Sequence, residues 1–115
     1  MTETEILLAT GRRVIGIEAD ALNQLASSLD DSFPRVVELI PSAEGRVILS
    51  GMGKSGLVGQ KIAATMASTG TPAFFLHPAD GIHGDLGMVG RADVLIAISN
   101  SGETQEILQL LPYVE

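Results

Sequence analysis

Two short segments of this chain set hydroxyls beside glycines and a lysine: Gly51-Met52-Gly53-Lys54-Ser55-Gly56 and Ser99-Asn100-Ser101-Gly102-Glu103-Thr104. Each follows an aliphatic run, and each opens a stretch with helical spacing. A helix start presents free backbone N–H groups at the positive end of its dipole, where anions bind. Ser55, Ser99, Ser101 and Thr104 add hydroxyl donors, and Lys54 adds a mobile positive charge. Together they suit a phosphate. Serines and threonines also cap helices with no ligand present, and for one segment alone that explanation would suffice.

The first hexapeptide matches G-x-G-x-x-G, the dinucleotide fingerprint. Such folds usually end the second strand on an acidic residue that holds the ribose, whereas this chain has Leu76-His77-Pro78 there, with Asp80 displaced. A Walker A loop would need glycine where Ile48 stands, so nucleoside triphosphates are not favoured. A third polar segment, His77–Asp85, holds both histidines with Asp80 and Asp85. Its spacing follows no helical or hairpin ligand pattern, and no metal is assigned to it. His77 suits backbone bonding at a strand end. His83, with glycines at 81 and 84, suits acid–base work near neutral pH. Glu103 has two readings that stay open: a favourable charge at a helix start, or a proton-transfer group.

The elements that must carry these segments follow from periodicity. Arg13–Leu29 places Val14, Ile17, Ala21, Leu25 and Leu29 on one helical face, an amphipathic packing helix. Ser32 can cap a short second helix with Phe33, Val36, Val37 and Ile40 inward, ended by Pro41. Val47–Leu49 predicts a strand that turns at Gly51 and Gly53 into a helix over about Ser55–Ser68. Val58, Ile62 and Met66 face inward in that helix, Gly59, Ala63, Ala64 and Ala67 permit close approach to a sheet, and Thr69-Gly70 closes it. Continuous apolar runs at Ala73–Leu76 and Val94–Ile98 predict two more strands, covered on both faces, and a helix follows from Glu103. The implied class is α/β with a parallel sheet. With spatial order 2-1-3, the crevice beyond the carboxyl ends of strands one and three is formed by Gly51–Ser55 and Ser99–Thr104. Pattern and topology thus nominate the same two segments.

Composition narrows the partners. Seven Lys and Arg against fourteen Asp and Glu give a net charge of −7 over 115 residues, which excludes nucleic-acid binding through a basic face. No aliphatic run approaches bilayer length, so no membrane partner is expected. The absence of cysteine excludes disulfides and thiolate chemistry and suits a reducing, cytoplasmic setting.

Four segments together resemble the sugar isomerase (SIS) domain of the D-arabinose-5-phosphate isomerase family: Gly51–Gly56, Ala67-Ser68-Thr69-Gly70-Thr71-Pro72, His83-Gly84-Asp85-Leu86-Gly87-Met88 and Ala97–Glu103. The resemblance runs from about Val14 to Glu115. It implies a flavodoxin-like α/β fold, present as three strands with flanking helices. Residues 1–45 would be the N-terminal helical segment and residues 46–115 the first half of the sheet, so the chain would end before the domain is complete and be inactive alone. It also implies interconversion of D-ribulose 5-phosphate and D-arabinose 5-phosphate, in the Kdo branch of lipopolysaccharide or capsule synthesis, with no organic cofactor. Carried over by motif, Gly53, Ser55, Ser99, Ser101 and Thr104 would bind the substrate phosphate, and Lys54 would bind or stabilise charge. His83 and Glu103 would exchange protons. The alternative is a sugar-phosphate sensor, a non-catalytic SIS module that keeps the hydroxyls without needing Lys54, His83 and Glu103. A homo-oligomer is expected, because Val94–Ile98 would be an open sheet edge and the Val14–Leu29 stripe exceeds what so small a sheet covers.

Overall fold

The first element is set by its cap. Thr2 Oγ1 accepts the Glu5 N–H at 3.1 Å and the Glu5 carboxylate accepts the Thr2 N–H at 2.8 Å, a reciprocal box that opens helix α1, Glu3–Ser28. The computed structural model describes residues 1–42, 44–79 and 90–100, in two units, Met1–Val36 and Val37–Glu115. Helix α1 begins well upstream of the Arg13 expected from apolar spacing, because Thr2 and Glu5 satisfy first-turn donors that a periodicity reading does not weigh. In the first unit every residue is exposed, so the Val14, Ile17, Ala21, Leu25 and Leu29 stripe is uncovered there.

Helix α2 spans Ser32–Ser42. Ser32 is not its cap: the Asp30 carboxylate accepts both the Ser32 N–H at 2.9 Å and the Ser32 hydroxyl at 2.6 Å. Those two bonds, the hydroxyl first, hold the Asp30 pKa below the usual carboxylate value. Phe33, Val36 and Val37 are exposed rather than inward, and only Ile40 is half-buried, against the core of the second unit. Pro41 lies inside the last turn, so the helix runs past the expected stop.

The second unit holds a three-stranded parallel sheet, β1 (Val47–Gly51), β2 (Ala73–Phe75) and β3 (Val94–Ile98), in the order β2-β1-β3. Strand β1 is central and buried along its whole length, as its unbroken apolar run predicts. Strand β2 stops one residue short of the expected Leu76, which is nevertheless buried. Between β1 and β2 lies helix α3, Gly53–Ser68.

Helix α3 meets the sheet through Gly56, Gly59, Ala63 and Met66, against Val47, Leu49 and Phe75. Val58 and Ile62 point outward, contrary to the spacing argument, and Ala64 and Ala67 are exposed as well. The smallest residues won the inner face because the helix axis lies close to the strands: a Cβ on Gly59 would stand 3.3 Å from the Phe75 ring. The helix ends as expected. Gly70, at φ +99, lets its N–H reach Ala67 O at 3.4 Å and the Thr71 N–H reach Met66 O at 2.9 Å.

At the amino ends of the strands a carboxylate ties the sheet together. Asp93 accepts the Arg46 N–H at 2.6 Å and the Gly90 N–H at 2.7 Å, and pairs with the Arg46 guanidinium at 3.5 Å. These bonds, led by the one from Arg46 N–H, hold the Asp93 pKa below its ordinary value. The guanidinium also lies 4.7 Å from the Phe74 ring centroid. Among the described residues, no helix is long and apolar enough to cross a membrane.

Candidate functional site

The sheet register decides which loops are neighbours. Val47 pairs with Ala73 and with Val94, and the β1–β3 ladder continues to Gly51 beside Ile98. The chain therefore leaves β1 at Met52 and leaves β3 at Ser99 side by side, at the carboxyl edge of the sheet. This is the crevice expected from the order 2-1-3.

Each glycine of Gly51–Gly56 has a separate physical task. A Cβ on Gly51 would stand 3.0 Å from Ile98 O and from Ser55 C, so glycine permits the end of β1, the end of β3 and the first turn of α3 to converge. A Cβ on Gly56 would come within 2.6 Å of Gly51 O, which fixes how closely α3 follows the strand. Gly53 has φ +56, the left-handed region, and a side chain there would meet nothing within 4 Å; its requirement is conformational rather than steric. The fingerprint pattern thus makes a tight strand-to-helix turn, which needs no dinucleotide to explain it.

The turn delivers donors. The first intrahelical bond runs from Gly56 N–H to Met52 O at 3.2 Å, so the N–H groups of Gly53, Lys54 and Ser55 precede the ladder. Met52, at the cap position, supplies no side-chain acceptor for them. Lys54 is exposed in this first turn and Ser55 is half-buried. The first turn of α3 itself contains no acidic residue, and among the described residues the one ion pair is Arg46–Asp93, at the other end of the strands. Ser99 is half-buried immediately past β3 and is already engaged in an interaction of its own. Gly53, Lys54, Ser55 and Ser99 are thus gathered at one edge. Ser101, Glu103 and Thr104, like His83, Asp80 and Asp85, lie outside the described residues.

The segment leaving β2 is tied to β1. Leu76 N–H donates to Leu49 O at 2.8 Å, and Ser50 Oγ donates to Leu76 O at 2.5 Å. His77 Nδ1 accepts the Ala79 N–H at 3.1 Å, the backbone role expected of it. Ser50 was not among the site residues expected from sequence. Its signal was a lone polar residue closing the run Val47-Ile48-Leu49, which is ambiguous without knowing its partner. Among the described residues no group of three or more His, Asp or Glu side chains could hold a metal ion.

Known proteins match this arrangement. The sequence profile of the SIS domain matches residues 39–115. The arabinose 5-phosphate isomerase KdsD of Pseudomonas aeruginosa is 50% identical over 115 residues, covering 100% of this chain and 35% of its own length. The arabinose 5-phosphate isomerase KpsF of Escherichia coli O6:H1 is 55% identical over 107 residues, 92% of this chain and 33% of its own. A solved Escherichia coli CFT073 structure in complex with arabinose 5-phosphate superposes with a TM-score of 0.89 at 45% identity, over 97% of this chain and 59% of that one. The chain spans about a third of the length of these curated relatives.

Proposed function

This chain belongs to the SIS domain family, and we propose that the protein carrying it is a sugar-phosphate isomerase that interconverts D-ribulose 5-phosphate and D-arabinose 5-phosphate. The observation that carries the reading is the register that sets Gly51 beside Ile98, because it sends the uncapped first turn of α3 and the segment starting at Ser99 out of the sheet together. An anionic group between them would meet the free N–H groups of Gly53–Ser55, the Ser55 and Ser99 hydroxyls and the Lys54 ammonium. We assign Ser101 and Thr104, which follow Ser99 closely in sequence, to the same role.

Isomerisation moves a proton between C1 and C2 through an enediol. It needs a base for the carbon proton, an acid for the oxygen, and stabilisation of developing negative charge, and each positioned acid or base typically supplies about 10²–10⁴-fold. We assign proton transfer to His83 and Glu103 and charge stabilisation to Lys54. The phosphate grip does no chemistry, but its binding energy holds the carbonyl end in place for the proton transfer. Pathway placement in Kdo synthesis, cytoplasmic location and homo-oligomeric assembly accompany this proposal.

The test is loss of deuterium from C2-labelled arabinose 5-phosphate, followed by NMR in the intact protein. Exchange that disappears in Glu103→Gln and His83→Ala while affinity is largely kept supports the assignment. Normal exchange in both variants removes these residues as the acid–base groups. Binding without exchange in the unmodified protein leaves a sugar-phosphate-binding module in place of an enzyme.

A further inference from the structure

Ser50 is the buried polar side chain among the described residues, with no exposed surface, inside a strand that is otherwise aliphatic up to Gly51. A hydroxyl enclosed this way costs free energy unless it is hydrogen-bonded. It spends its proton on the Leu76 carbonyl, the first residue past β2, while the Leu76 N–H is held by Leu49 O. Strand pairing alone accounts for the second bond. The first exists only because a hydroxyl stands at position 50. The chain beyond is held in turn: Leu76 and Pro78 are buried, and the His77 ring accepts the Ala79 N–H.

The placement gives this tether a function. Ser50 directly precedes Gly51, where the donor-bearing turn Gly51–Ser55 begins, so one strand residue links that turn to the segment that runs on in sequence toward His83. We propose that Ser50 is a positioning residue for the isomerisation, its hydroxyl setting where the segment after β2 departs relative to the phosphate loop. It touches no substrate and acts through Leu76–Ala79. The inference rests on the isomerase reading above, and it concerns a residue outside the donor and proton-transfer set.

Two substitutions separate this role from simple core filling. Ser50→Ala removes the donor, and Ser50→Cys keeps similar bulk with a much weaker donor. Turnover and KM for arabinose 5-phosphate are measured in the intact protein, with amide hydrogen exchange at Leu76, His77 and Ala79 and a thermal melt. The expected result for Ser50→Ala is a kcat about tenfold lower or more, since small displacements of a reacting geometry are felt strongly, with KM changed far less and faster exchange at those amides. Ser50→Cys should fall between alanine and serine in kcat and carries the test if the alanine variant does not fold. A packing role predicts otherwise: the more apolar cysteine melts at or above the unmodified protein, and kcat and exchange stay unchanged in both variants. That outcome overturns the proposal. If the unmodified protein shows no C2 exchange, the isomerase reading itself fails, and with it the positioning role; the hydrogen-exchange comparison then shows only whether the tether holds the segment.

Discussion

Helices α1 and α3 begin in opposite ways. α1 closes its amino end with its own residues: Thr2 and Glu5 exchange hydrogen bonds, and Glu3 and Glu5 set negative charge against the dipole. α3 begins on Gly53 in the left-handed region, after a cap residue that offers no side-chain acceptor, with no acidic residue in its first turn and with Lys54 there instead. A cation at a helix amino end costs about 0.3–1 kcal/mol where a carboxylate would contribute that much. A helix start selected only for stability would resemble α1. The difference is the one the proposed phosphate site requires: among the described residues, the first turn of α3 carries no side-chain cap and no carboxylate of its own.

The sharpest way to break the comparison is to give α3 the charge that α1 carries. Lys54→Glu should stabilise the helix slightly by the dipole argument while weakening arabinose 5-phosphate binding by about 100-fold, since a charge-assisted hydrogen bond of about 1.5–3 kcal/mol is lost and repulsion is added. Calorimetric titration beside a thermal melt reads both signs. Binding that survives unchanged would mean the α3 start is not an anion site.

A carboxylate that serves backbone donors internally offers a second contrast. Asp93 does at the amino ends of β1 and β3 what an external anion would do at the carboxyl ends, and its pKa is lowered, chiefly by the Arg46 N–H. Because the folded pKa lies below the unfolded value of 3.8, its contribution is complete above that value and is lost as pH falls through the folded pKa. Asp93→Asn should cost about 1–3 kcal/mol at neutral pH and make the acid limb of a pH–stability curve shallower. An unaltered acid limb would show that Asp93 does not couple folding to pH.

Gly53→Ala comes next. A left-handed backbone costs an ordinary residue about 1–2 kcal/mol, and nothing near a Cβ there would compensate, so both melting temperature and phosphate affinity should fall together. An unstrained alanine with full affinity would show that the turn does not need its glycine. The smallest effect belongs to α1: Thr2→Ala should cost about 1 kcal/mol of helix stability and leave sugar-phosphate affinity untouched. A drop in affinity from that change would erase the distinction between the two helix starts.

Much of the site's frame was legible from composition and local order. Val47–Leu49 announces a covered strand because a central parallel strand loses both faces to packing, whereas β2 and β3, read the same way, are only half-buried and Ala97 is exposed. Gly51-x-Gly53-x-x-Gly56 announces a tight strand-to-helix turn because each glycine answers a local backbone demand. Gly70 ends α3 for the same local reason. Even the capping box of α1 was within reach, as Thr2 and Glu5 stand three residues apart.

What the tertiary structure decided concerns partners distant in sequence. The inner face of α3 went to Gly56, Gly59 and Ala63 rather than to Val58 and Ile62, because the separation between helix and sheet is set by Phe75 and the strands, not by the helix's own periodicity. Asp93 meets Arg46 across 47 residues and Ser50 meets Leu76 across 26, and a carboxylate or hydroxyl gives no sign in the sequence of which remote backbone group it will satisfy. The residues themselves determined what chemistry each segment could offer. The order 2-1-3 already nominated the shared edge, but only the folded sheet, by pairing Gly51 with Ile98, decided the level at which the donors of α3 and Ser99 leave it, because hydrogen-bond register is a relation between strands that neither strand contains alone.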